Sequence, residues 1–320
     1  MTMTYSLLAV GLVLLVAGGD TLVRGATTAA RSLGVSPLLI GLTLVGMGTS
    51  APELVTSLTA VLAGSPGIAM GNVVGSNTAN ILLILGVAAL ISPIVVDRNA
   101  FRRDGWMLII STAACAAAVI TGIIDYRWGL AMLAGLIGYL VWAWQGERQA
   151  PDREARKFEH LSEDVPDVRG GIWSGLGLAL IGIALTVGGA RLLVDNAIIV
   201  AQNFGVSDTL IGLTVVAVGT SLPELVTSAV AAFRRHSDVA LGNIIGSNIY
   251  NVLGILGITA LVAPIRVPPE IIRLDIWVMV AATALVVLFV RTGMRIVRLE
   301  GLALLVAYGC YIAWLARDLY

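Results

Sequence analysis

Three hundred and twenty residues would suffice for two soluble domains, but the composition excludes that reading. Hydrophobic residues make up 58% of the chain and charged residues 12%, about half the ~25% charge of a typical soluble protein. Twenty Lys+Arg balance twenty Asp+Glu, which leaves no basic excess for nucleic-acid binding and no acidic tail.

In chain order, apolar runs of bilayer-crossing length, about 17–25 residues, lie near 5–24, 36–61, 67–91, 105–124 and 128–145. A polar stretch from Gln145 to Gly171 follows, with Pro151 and Pro166 and charges of both signs. Five further runs lie near 172–194, 208–232, 239–263, 275–291 and 299–316. The pattern predicts an all-α polytopic membrane protein of ten transmembrane helices embedded in a lipid bilayer. Its parts are a first five-helix unit over 1–145, a cytoplasmic linker over 146–171 and a second unit over 172–320. The runs lack the alternation of a transmembrane β-barrel. The first is not a cleaved signal peptide, because no Lys or Arg precedes it and Arg24 and Arg31 follow it. Cys115 and Cys310 sit in separate apolar runs and offer no disulfide framework.

With the amino terminus outside, fifteen Lys+Arg fall on the inner side and five on the outer. The positive-inside rule then places both termini outside the cytoplasm. Arginine dominance over a single lysine, Lys157, and the lack of a targeting segment suit the plasma membrane of a prokaryote.

The strongest pattern is an internal repeat. Residues 40–57, IGLTLVGMGTSAPELVTS, match 211–228, IGLTVVAVGTSLPELVTS, at fourteen of eighteen positions. Residues 71–86, GNVVGSNTANILLILG, match 242–257, GNIIGSNIYNVLGILG, at ten of sixteen, and both pairs share an offset of 171. An odd number of spans precedes the linker, so the second copy enters the membrane upside down. Inverted-topology repeats are typical of secondary transporters that bind cargo near mid-membrane.

Glu53 and Glu224 lie mid-span in the repeated segments, whereas every other acid lies in a loop or near a span end. A charge at that depth costs on the order of 2.5–3.5 kcal/mol, so each requires a cation, a proton or a polar cavity. Thr49 and Glu53 are four residues apart on one helical face, with Thr56 a turn further; Thr220, Glu224 and Thr227 repeat this. Pro52 and Pro223 deny an N–H to the carbonyls of Gly48 and Gly219, predicting a kink or break that frees main-chain oxygens. Ser76 with Asn80, and Ser247 with Asn251, share a face in the next span. The spacings Gly71-x-x-x-Gly75 and Gly242-x-x-x-Gly246 let helices approach closely. Two carboxylates with carbonyl, hydroxyl and amide oxygens suit Ca²⁺, which takes 6–8 oxygens, better than Mg²⁺, which keeps its waters. Zinc and copper are disfavoured, since His160 and His236 lie in loops.

At these residues the sequence resembles the sodium/calcium exchanger family, within the cation/Ca²⁺ antiporter superfamily. GTSAPELVTS and GTSLPELVTS, with GSNTAN and GSNIYN, resemble that family's two α-repeats. The resemblance implies a Na⁺/Ca²⁺ antiporter with Ca²⁺ and Na⁺ as transported ions and no resident cofactor. It implies Glu53 and Glu224 as shared carboxylates, and Thr49 and Thr220 as backbone donors. Ser50, Ser221, Ser76 and Ser247 would complete the Na⁺ sites, helped by the Gly46 and Ala217 backbones, with Asn80 and Asn251 at the centre. Some branches carry Asp where this chain has Asn251, which weakens the case for K⁺ cotransport. The family also suggests spans one and six as a moving gate; the pairs Gly18–Gly19 and Gly188–Gly189 fit sliding and plain packing equally. A Ca²⁺/H⁺ antiporter is the alternative, since two protons balance the same charge. A passive channel fits inverted repeats within one chain poorly, and no span carries a histidine or an activated nucleophile for an enzyme.

Overall fold

A computed structural model describes residues 2–148, 171–203 and 217–317. Helix α1 (Thr2–Leu33) is followed by α2 (Pro37–Thr49) and α3 (Ala51–Leu62), which form one span bent by 43°. Then come α4 (Pro66–Ile91), α5 (Arg98–Ile120) and α6 (Tyr126–Arg148). The second half holds α7 (Gly171–Asn203), the short α8 (Ala217–Thr220), α9 (Leu222–Phe233), α10 (Ser237–Val262), α11 (Ile271–Gly293) and α12 (Arg298–Arg317). Eight described helices are long and apolar enough to cross a membrane, or nine with the bent pair as one span. They coincide with nine of the ten expected spans. The remaining one, near 208–232, is described only from Ala217 as α8 and α9, and the stretch before it lies outside the described residues.

Two boundaries differ from expectation. α1 has 32 residues and α7 has 33, about 48 Å at ~1.5 Å per residue, well beyond the apolar runs near 5–24 and 172–194. Polar residues such as Asp20, Arg24 and Arg191 sit on exposed or half-buried faces, so they do not end the helices. α6 stays helical through Arg148, inside the stretch expected as linker, and 149–170 lie outside the described residues. The all-α expectation needs a small amendment, because four two-residue strands occur at helix ends among the described residues. β1 (Ile94–Val95) pairs antiparallel with β4 (Arg295–Ile296), and β2 (Ile123–Ile124) with β3 (Ile265–Arg266). Each ladder joins the first half to the second; two residues are too few for a period-two pattern to reveal.

The repeat reappears in the architecture. α3 and α9 have 12 residues each, and the helical segments Pro66–Ala79 and Ser237–Tyr250 have 14 each, all related by the 171-residue offset. α4 and α10 are the innermost spans, with 72% and 83% of their most apolar windows buried, against 11% for α12. Both widen into a π-helical stretch that starts at the repeated asparagine, Asn80–Ile84 and Asn251–Leu256. Such stretches recur at functional sites.

α1 and α7 pack antiparallel along their length through glycines seven residues apart. A Cβ on Gly11, Gly18 or Gly25 would meet the backbone of Leu193, Thr186 or Ala179 within 3 Å, and one on Gly189, Gly182 or Gly175 would meet that of Leu15, Leu22 or Ala29. In lipid, such small residues replace the hydrophobic effect with close backbone packing. Of the two glycine pairs in the sequence, Gly18 and Gly189 lie in this seam, Gly19 faces Val226, and Gly188 meets nothing within 4 Å among the described residues.

Candidate functional site

The repeated Pro does what its chemistry requires. It occupies the second position of α3 and of α9, where a missing N–H is harmless, and the chain breaks just before it at Ser50 (φ −82°, ψ 9°) and Ser221 (φ −90°, ψ 6°). Glu53 and Glu224 therefore stand in the first turn of a helix, where the positive end of the helix dipole favours an anion. The preceding segments, Gly46–Thr49 and Ala217–Thr220, end at the same breaks. Their carbonyl ends face the break, which favours a cation there. Carboxylates and freed carbonyls thus meet at two discontinuities, an arrangement that transporters use for ions.

The two halves interlock at these breaks. Ser50 Oγ donates to Glu224 Oε1 at 2.8 Å, and Ser221 Oγ donates to Glu53 Oε1 at 3.4 Å. Ser221 Oγ also reaches Ser76 Oγ at 3.5 Å, and Ser247 Oγ donates to the Gly46 carbonyl at 3.2 Å. The Thr49 hydroxyl carries one proton and lies within donating distance of the Val45 carbonyl (3.0 Å) and of Asn243 Oδ1 (3.1 Å). Below the breaks, Asn80 Nδ2 donates to Asn248 Oδ1 (3.4 Å), Asn251 Nδ2 to Asn77 Oδ1 (3.1 Å) and Asn77 Nδ2 to the Asn248 carbonyl (3.2 Å). Ten of the twelve expected residues thus take part in these buried hydrogen bonds, eight around the two breaks and two in a separate asparagine network. Thr220 ends α8, half-buried, and Ala217 begins it. Thr227 is buried, while Thr56 is only half-buried.

Among the described residues the hydrogen bonding leaves seven buried side-chain polar atoms without a partner: Thr227 Oγ1, Thr259 Oγ1, Asn248 Nδ2 and four acceptor oxygens at the breaks and the central asparagines. Glu53 Oε2, Glu224 Oε2, Asn80 Oδ1 and Asn251 Oδ1 are buried and accept no hydrogen bond among the described residues, and their residues are each 1% exposed. Such an orphan costs about 1–3 kcal/mol, more if charged. A cation or a proton would satisfy the carboxylate oxygens, and the unpaired acceptors are all oxygen, as a hard cation prefers. Among the described residues no group of three or more His, Cys, Asp or Glu is placed to hold a metal ion, so a cation here would rely on neutral oxygens beside the two carboxylates.

Two struts are absent from the sequence reading. Asn72 Nδ2 donates to the Glu53 carbonyl (3.0 Å) and to Ser57 Oγ (2.9 Å). Asn243 Nδ2 does the same to the Glu224 carbonyl (3.4 Å) and Ser228 Oγ (2.9 Å). They fasten each carboxylate-bearing helix to the following span. Asn77 and Asn248 were likewise missed. All four asparagines are identical in the two copies, and Asn72 lies one turn before Ser76, so strict comparison of the repeats contained the signal.

The profile of the family described as "Sodium/calcium exchanger protein" matches residues 3–145 and 174–317. The chain is 40% identical over 302 residues to "Putative antiporter CaxA" of Alkalimonas amylolytica, covering 93% of this chain and 94% of that one. It is 36% identical to "Sodium/calcium exchanger MaX1" of Methanosarcina acetivorans, covering 97% and 98%. Among solved structures, the sodium-calcium exchanger NCX_Mj soaked without Na⁺ and Ca²⁺ superposes with a TM-score of 0.84 at 33% identity, covering 98% of this chain and 99% of that one. The same protein soaked with Na⁺ and Ca²⁺ also gives 0.84.

Proposed function

The chain belongs to the sodium/calcium exchanger family and is a Na⁺/Ca²⁺ antiporter; from that premise we propose that Glu53 and Glu224 are the carboxylates its two cargo ions share. The supporting observation is the set of four buried acceptor oxygens, one from each Glu and each central Asn, that accept no hydrogen bond among the described residues. Ca²⁺ would take both carboxylates and the amide oxygens of Asn80 and Asn251. Na⁺ would use Ser50, Ser221, Ser76 and Ser247 with the carbonyls of Gly46, Thr49, Ala217 and Thr220 around the same carboxylates. Occupancy by one ion excludes the other, which is the physical basis of exchange.

Ten spans in two inverted five-helix units, with both termini outside the cytoplasm, complete the reading. The two carboxylates carry about −2 charge, which one Ca²⁺ or two Na⁺ neutralise. Each further Na⁺ moves net charge and couples the cycle to voltage by about 2.3 kcal/mol per charge per 100 mV. Two bare carboxylates would cross the apolar barrier only at high cost, so occupied forms alone isomerise between the two faces. The test is purified protein in liposomes, with Ca²⁺ uptake driven by an imposed Na⁺ gradient and, separately, by a pH gradient. Uptake with Na⁺ alone is expected; uptake driven only by pH would replace Na⁺ with H⁺ as the counter-ion.

A further inference from the structure

Away from the ion site, α5 and α11 leave a groove between them. Its inner part, about 380 Å³, is walled by apolar residues including Ala113, Ala284 and Leu288, and the hydroxyls of Thr112 and Thr283 meet there at 3.3 Å. Its outer part, about 250 Å³, is lined by Arg98, Arg102, Arg291 and Trp106. Ile109, Val287 and Arg291 line both parts, so the two are continuous. The helix distance from Arg102 to Thr112 is about 15 Å at ~1.5 Å per residue. One leaflet of a ~30 Å hydrocarbon core has the same depth.

Charge separates this groove from others on the surface. Three arginines and no acid line its mouth, and among the described residues none of the three guanidinium groups is in an ion pair. A larger groove of about 1060 Å³ beside α1 also has arginines, but Asp20 lines it and already pairs with Arg234. An apolar trough one leaflet deep, capped by unpaired guanidinium groups, matches a lipid with an anionic head. Basic pockets between transmembrane helices are known to hold such headgroups. We propose that the α5–α11 groove binds one anionic phospholipid, with its phosphate at Arg98, Arg102 and Arg291 and an acyl chain lying along Ala113 and Ala284.

Trp106 at the mouth, 51% exposed, provides a reporter independent of transport. Purified protein in mixed micelles is titrated with brominated phosphatidylglycerol or brominated phosphatidylcholine, and Trp106 quenching is taken as wild type minus Trp106→Phe. The anionic lipid is expected to half-saturate quenching at a mole fraction on the order of 10-fold lower or less, given the attraction of several basic residues. The combined Arg98→Gln, Arg102→Gln and Arg291→Gln variant abolishes that preference. Because removing three arginines also affects insertion, Ala113→Phe with Ala284→Phe tests the trough at unchanged charge and is expected to reduce quenching by both lipids. Equal half-saturation for the two lipids in wild type, or a preference that survives the arginine variant, overturns the proposal. A shift from dimer to monomer on filling the trough in lipid-free detergent also overturns it, by assigning the face to a second copy.

Discussion

Removing the side chain of Asn243 separates a strut that spans the two halves from one that does not. Asn243 is fully buried and makes three hydrogen bonds: to Ser228 Oγ, to the Glu224 carbonyl and from Thr49 Oγ1. Asn72 makes only the first two of these, to Ser57 Oγ and the Glu53 carbonyl, and is half-buried. At about 1 kcal/mol net per hydrogen bond, Asn243→Ala costs about 1 kcal/mol more than Asn72→Ala, roughly fivefold in the unfolding equilibrium. The extra cost resides in the Thr49 contact between halves. In a double-mutant cycle, Thr49→Val and Asn243→Ala therefore couple by about 1 kcal/mol, whereas Thr49→Val and Asn72→Ala add within ~0.5 kcal/mol. Equilibrium unfolding in mixed micelles, followed by circular dichroism, measures both cycles. Equal losses at the two asparagines with no Thr49–Asn243 coupling would refute the geometry of the break and the claim that the halves interlock there.

Three further outcomes follow from other parts of the fold. Gly182→Ala places a Cβ 2.4 Å from the Leu22 backbone nitrogen and destabilises by about 3 kcal/mol or more, while Gly188→Ala is neutral; the folded yield by size exclusion distinguishes them. Tyr139 and Tyr311 donate to Asp104 (3.0 Å) and Asp275 (2.9 Å), a pair repeated across the two halves. Tyr139→Phe, whose partner is fully buried, costs about 1.5 kcal/mol and Tyr311→Phe less, read as unfolding midpoints. Asp20→Asn and Arg234→Gln break a half-exposed ion pair between α1 and the end of α9, so their coupling stays below about 1 kcal/mol and falls with added salt.

Membrane class, nine spans and the discontinuities beside Glu53 and Glu224 were legible because they rest on composition, length and an exact repeat. Glu53 and Glu224 stood out as the two acids far from any span end, and Pro52 and Pro223 located the breaks that the structure places at Ser50 and Ser221. What was not legible depends on three-dimensional approach. The heptad of Gly11, Gly18 and Gly25 against Gly175, Gly182 and Gly189 follows from antiparallel pairing of helices far apart in sequence. Its overlap with adjacent glycines masked the seven-residue period. The Asn72 and Asn243 struts bond mainly to main-chain carbonyls, which carry no sequence signature. Asp104 escaped notice because it lies at a span end, yet it is fully buried and accepts hydrogen bonds from Arg103 and Tyr139. The short strands Ile94–Val95 and Ile265–Arg266 join the halves through backbone groups alone.

The central claim is that both cargo ions compete for Glu53 and Glu224. It is tested most directly by Na⁺-gradient-driven Ca²⁺ uptake into liposomes holding wild type, Glu53→Gln or Glu224→Gln, each shown to be folded by size exclusion. Each glutamine substitution is nearly isosteric and removes one of the two charges that balance Ca²⁺. The account predicts that either one reduces exchange to near background. Exchange at the wild-type rate in either variant would contradict it.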